Sequence, residues 1–146
     1  FIKKLFKLSF NRSIILISLF IFSCTAHFIQ ADEIKPKNLI CGSNSGVAFF
    51  ETNGLLTSKD KDFYNKLYLI DKNLRKEDYN FIYISKPKSS GGYTLELEKI
   101  KKKKDKHLIY FKENKPPEGS INSMAITATY CLLNVKNLEK VEVFIK

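Results

Sequence analysis

The stretch Asn80–Ile100, NFIYISKPKSSGGYTLELEKI, decides how the chain folds. Phe81 to Ile84 is an unbroken apolar and aromatic run, the composition of a strand buried on both faces. Further on, Tyr93, Leu95 and Leu97 alternate with Thr94, Glu96 and Glu98, the two-residue period of a half-buried strand. Between the two, Pro87 fixes one φ angle and lacks an N–H, while Gly91 and Gly92 permit positive φ. Together the three parts predict strand, glycine-tipped loop, strand, joined as a hairpin whose connection is longer than the two-residue kind.

Working outward, Thr57–Ile70 (TSKDKDFYNKLYLI) carries Phe63, Leu67 and Ile70 at helical spacing, with Tyr64 and Tyr68 beside them. Thr57 and Asp60 form a capping pair, and Asp60 and Asp62 suit the positive end of the helix dipole. This is the one helix expected, and its apolar stripe is core material that covers a sheet. Leu39–Cys41 and Gly46–Glu51 read as one or two short strands around a turn at Gly42–Ser45. His107–Lys112 is another strand, with Leu108 and Tyr110 on one face and Ile109 and Phe111 on the other. Ile126–Val135 is rich in β-formers and reads as central in its sheet. Val141, Val143 and Ile145 alternate with Glu142 in a last strand. The expected fold is α+β: a mostly antiparallel β-sheet of five to seven strands with one covering helix.

The 146 residues suffice for one domain with a real core. Lys3, Lys4, Lys7 and Arg12 precede the apolar run Ile14–Phe22, and no acidic residue occurs before Asp32. That order is the one of a secretory signal, with small-residue context for cleavage at Cys24-Thr25-Ala26 and at Ile29-Gln30-Ala31. Residues 1–31 are therefore expected to be a signal peptide or membrane anchor, with lipidation at Cys24 as a third form. Residues 32–43 form a linker and first strand, and 44–146 the main domain. The expected location is the cell envelope, periplasmic or secreted, with the membrane met only through the N-terminal segment. Four of the 25 basic residues and none of the 15 acidic ones fall in 1–31, so the remaining 21 and 15 leave a charge of +6. Cys41 and Cys131 remain after a cut at Ala31; in an oxidising compartment they either form one disulfide or stay as two buried thiols.

Catalytic groups are scarce. His27 lies in the leader, which leaves His107 as the sole imidazole to serve a serine or cysteine nucleophile. No His or Cys pair stands at metal-ligand spacing, and SSGGY lacks the lysine and helix of a phosphate-cradling loop, so no metal and no cofactor is expected. Glu96 and Glu98 share one face of a strand as its solvent side. Lys101–Lys104 has no arginine or aromatic interleaved; it reads as a solvated turn and excludes a nucleic-acid partner. Binding is expected at the loop, through Pro87, Ser89, Ser90, Gly91, Gly92 and Tyr93, where paired glycines leave backbone groups accessible to another chain.

The ordered set of Gly91-Gly92-Tyr93, the loop Lys115-Pro116-Pro117 and the strand Tyr130–Val135 resembles the C-terminal domain family of the protease complex subunit PrcB. In that family a Gly–x–x–Pro–Thr–Gly–Gly–Tyr-like turn joins two strands. Here Ser90 stands for the threonine, Ser89 for the proline and Lys86 for the leading glycine. The likeness covers about residues 44–146. It implies a non-catalytic, exported domain that binds a protein, a secreted protease complex being the partner it would assist or stabilise. The alternative is a chagasin-like protease inhibitor acting through Pro87–Tyr93, and a hydrolase using Ser90 or His107 ranks third.

Overall fold

The chain builds eight strands and one α-helix in residues 32–49 and 54–146, the part that the computed structural model describes. The expectations for the leader, Cys24 and His27 lie outside the described residues. Residues 31–146 form one compact unit, and both of its cores are closed by its own side chains. In chain order the strands are β1 (Glu33–Ile34), β2 (Asn38–Asn44), β3 (Gly54–Thr57), β4 (Phe81–Ile84), β5 (Thr94–Lys103), β6 (Lys106–Asn114), β7 (Ala128–Asn134) and β8 (Lys140–Ile145). The helix α1 is Phe63–Ile70.

The strands form two four-stranded sheets, ordered β1-β5-β6-β8 and β2-β7-β4-β3. All pairings are antiparallel except β6 with β8, which is parallel. The second sheet is the middle of three layers, and the two-residue period of its strands explains why. Ile82 and Ile84 of β4 and Leu132 of β7 turn to Phe63, Leu67 and Ile70 of α1. Phe81, Cys131 and Leu133 turn the other way, to Leu95, Ile100, Ile109 and Phe111 of the first sheet. Phe111 stacks between the layers on Tyr83, with ring centroids 5.2 Å apart. Each such fully buried side chain contributes about 1.5–3 kcal/mol.

Several expectations hold at the level of faces. The apolar stripe of α1 covers a sheet, β4 is buried on both sides, and β7 is central between β2 and β4. Cys41 and Cys131 stand opposite each other in the β2–β7 ladder, Cα atoms 4.1 Å apart, and are joined as a disulfide.

Other expectations change. The stretch 80–100 is not a hairpin: β4 and β5 belong to different sheets, so the glycine-bearing segment carries the chain across the sandwich. The hairpin is β5–β6, turning at Lys104-Asp105 with Lys104 at φ 56°. Thr57 ends β3 instead of opening the helix, and its N–H donates to Asp60 Oδ2 at 2.6 Å within a turn. Gly42–Asn44 continue β2, because Gly42 lies under the Tyr130 phenol where a Cβ would come within 2.7 Å of the hydroxyl. Gly46–Phe49 is a 3-10 turn, not a strand. In β5 a bulge falls between Leu97 and Lys99, so the inward set runs Leu95, Leu97, Ile100, and Glu98 drops out of register with Glu96. The count of eight strands, one above the expected range, includes two-residue β1 inside the expected linker.

Candidate protein-docking end

One end of the sandwich is made by two loops, 85–93 after β4 and 115–127 before β7. They are stitched to each other. Lys88 and Thr127 exchange two backbone bonds, 2.7 Å from Lys88 N–H to Thr127 O and 3.0 Å in return. Gly91 N–H donates to Ser123 O at 2.8 Å, and the Thr127 hydroxyl donates to Ser90 O at 3.0 Å. The second loop also braces itself: Ser120 Oγ donates to Pro117 O at 2.6 Å and accepts from Asn122 Nδ2 at 2.7 Å.

The glycines serve this seam. Gly91 is buried, and a Cβ on it would press to 3.3 Å from Ser123 Cβ. Gly92 holds φ 86°, and a Cβ there would meet Pro116 Cβ at 2.8 Å. The expectation that both glycines leave their backbone open to another chain is therefore corrected at Gly91, whose N–H is spent on Ser123. Pro87, Ser89 and Gly92 are exposed, while Ser90 and Tyr93 are half-buried.

Beneath the loops lies a polar network that ties the two sheets. Ser85 Oγ accepts the Thr129 N–H at 3.1 Å and lies 2.8 Å from the Thr129 hydroxyl, which donates to Glu113 Oε1 at 3.2 Å. The other carboxylate oxygen of Glu113 lies 3.0 Å from Lys88 Nζ, with those side chains only 18% and 25% exposed. Lys88 Nζ also sits 5.4 Å from the centre of the Tyr93 ring, an attraction between cation and π-face. Burial first, and the Glu113 charge second, push the nearby Tyr83 hydroxyl above its usual pKa. The Lys88 and Glu113 charges are matched across the base of the loop, and Ser85 and Thr129 join them in one network, so the ensemble works as a clasp.

What the clasp displays is apolar. Ile121 is fully exposed, Met124 is 88% exposed and Ile126 47%. Sequence reasoning passed over Ile121 and Met124 because they sit in a loop, where no periodicity marks them, and it placed Ile126 in a central strand that begins only at Ala128. A signal was present: from Gly119 to Val135 the chain carries no charged residue, which is unusual for a surface loop in so lysine-rich a protein.

The remaining chemistry does not assemble here. His107 lies on the inner face of β6, near the opposite end from Ser90. Its Nδ1 accepts the Glu139 N–H at 3.5 Å, and its Nε2 is buried with no partner among the described residues. Burial, then the Lys102 cation, push its pKa down, with Glu139 opposing. No cluster able to hold a metal occurs among the described residues, and none of their helices is long and apolar enough to cross a membrane.

Both loops, the hairpin between them and β7 fall in one segment that can be compared with known families. Residues 82–136 match the family described as PrcB C-terminal. The match starts inside β4 and ends just past β7, so it spans the whole docking end and omits β1–β3, α1 and β8. The resemblance to PrcB C-terminal domains thus rests on the β4–β7 segment, and that family is one of accessory domains. No curated protein and no solved structure matches the chain.

Proposed function

We propose that this chain is a non-catalytic, extracytoplasmic protein-binding domain that assists or stabilises a secreted protease complex. The single observation behind the reading is the display of Ile121, Met124 and Ile126 on a loop pinned to its PrcB-like neighbour by four hydrogen bonds. Leaving large apolar side chains in water gains nothing for folding, and pinning the loop that carries them lowers the ordering entropy a partner must overcome. The partner surface is expected to offer apolar pockets for these side chains, rimmed by groups that meet Pro87, Ser89 and Gly92. The Cys41–Cys131 disulfide agrees with an oxidising compartment.

The test places a photo-reactive amino acid at position 121 or 124 in cells that export the protein. Cross-links from these positions to a subunit of a protease complex are expected, with none from position 140 beside the β5–β6 turn. Cross-links at 140 equal to those at 121 and 124 would remove the docking end from the proposal. Dose-dependent inhibition of a protease that is lost in a Pro87–Tyr93 variant and kept in an Ile121 variant would favour the inhibitor reading instead.

A further inference from the structure

The other end of the sandwich carries a second surface, independent of the docking loops. We propose that the tip of the β5–β6 hairpin, Lys102–Lys104, rests on an anionic phospholipid bilayer. All three lysines are exposed, and none has an ion-pair partner among the described residues. The carboxylates on the neighbouring strands are engaged: Asp105 with Lys140 at 2.9 Å and Glu142 with Lys106 at 3.8 Å. A run of free lysines alone is a solvated turn, and here a second observation gives it an occupant. The chain enters the unit beside it. Lys102 N–H donates to Asp32 O at 3.4 Å, and Glu33 and Ile34 pair with Lys101 and Ile100.

The residues that lead to Asp32 hold four cations, no anion and the apolar run Ile14–Phe22. Nine residues separate the run from Asp32, so a retained anchor would keep Lys102 within about 35 Å of the surface that receives it. A bilayer with anionic headgroups suits both, because juxtamembrane lysines gain free energy from its negative surface potential within a Debye length. Asp32 and Glu33 stand at the same end and offset part of the charge, so contact depends on the three lysines together. A soluble acidic partner would gain nothing from the entry point of the chain. The membrane contact expected of residues 1–31 then extends to the folded unit, and the docking loops lie at the far end of strands about 30 Å long.

The experiment uses residues 32–146 in oxidised form, the compact unit with both cores, sedimented with vesicles of phosphatidylcholine with or without phosphatidylglycerol. Binding only to the anionic vesicles, lost when salt is raised, is expected. The variant with Lys102→Gln, Lys103→Gln and Lys104→Asn should bind about tenfold more weakly or worse; Asn is chosen because it tolerates the positive φ of Lys104. A matched variant at the other end, with Lys86→Gln, Lys112→Gln and Lys115→Gln, removes the same charge and should lose far less. Unchanged unfolding midpoints keep the comparison free of folding effects. Equal losses in the two variants, no binding to anionic vesicles, or retention only on a soluble polyanion such as heparin would overturn the proposal.

Discussion

At one end of the β5–β6 pair the chain reverses in two residues, Lys104 and Asp105, among exposed lysines. At the other end it leaves the same two strands through long loops, 85–93 and 115–127, that hydrogen-bond each other and bury a Ser–Thr–Glu–Lys network. A short turn leaves few backbone groups to satisfy, so charge and solvent are enough. Long loops must find partners for many N–H and C=O groups, and these loops find them in one another. The lesson is that rigidity at the loop end is built from specific contacts, each removable, whereas the hairpin end has little to break.

Four measurements sharpen that contrast. The largest effect is expected from the link that both ends share: reducing Cys41–Cys131, which closes a separation of 90 residues, should cost on the order of 4 kcal/mol in denaturant unfolding. Next, Gly92→Ala should lose about 3 kcal/mol, from positive φ together with the approach of Pro116. Gly119→Ala, also at positive φ but with nothing within 4 Å of an added Cβ, should lose about 1 kcal/mol. Equal losses at the two glycines would mean that the loop seam is not tight. Third, Glu113→Gln should lower stability by about 2 kcal/mol, since it leaves Lys88 partly buried without its counter-charge. The matching change at the hairpin end, Lys140→Gln opposite exposed Asp105, should leave the unfolding midpoint unmoved.

The smallest effect concerns pH and belongs to the hairpin end. His107 has a folded pKa below its unfolded value, because burial and Lys102 disfavour the imidazolium. The unfolded chain therefore binds the extra proton first as pH falls. The contribution is fully present above about pH 6.5 and is lost as pH drops from there toward the folded pKa. Replacing His107 with Gln should flatten the fall of the unfolding midpoint between neutral and mildly acid pH. An unchanged slope would show that His107 binds its proton equally well in the folded and unfolded states.

Much of the layer structure was legible because burial follows local period. Phe63, Leu67 and Ile70 could only make a helical stripe, Ile109 and Phe111 only one face of a strand, and the uncharged Tyr130–Val135 only a central position. Pairing was less legible. The alternation in Leu95–Leu97 says that a strand is present but not which sheet it joins, so two strands adjacent in sequence were read as adjacent in space. Parallel β6–β8 pairing leaves no local mark on Val141–Ile145 either. At the docking end, Gly91 and Gly92 stood out in the sequence, yet what surrounds them depends on Ser123 and Pro116, 32 and 24 residues away. Ile121 and Met124 stayed hidden because a loop has no period to depart from.

The parallel β8 has a mechanical consequence. Lys146 N–H donates to Phe111 O and Glu113 N–H to Lys146 O, so the last described residue lies at the docking end while Asp32 lies at the hairpin tip. Tension applied between residues 32 and 146 runs along the strand axis and loads the β6–β8 ladder in shear, straining its bonds together instead of one by one. A tether at the lysine end and a pull at the loop end would meet the molecule in its stiffest direction.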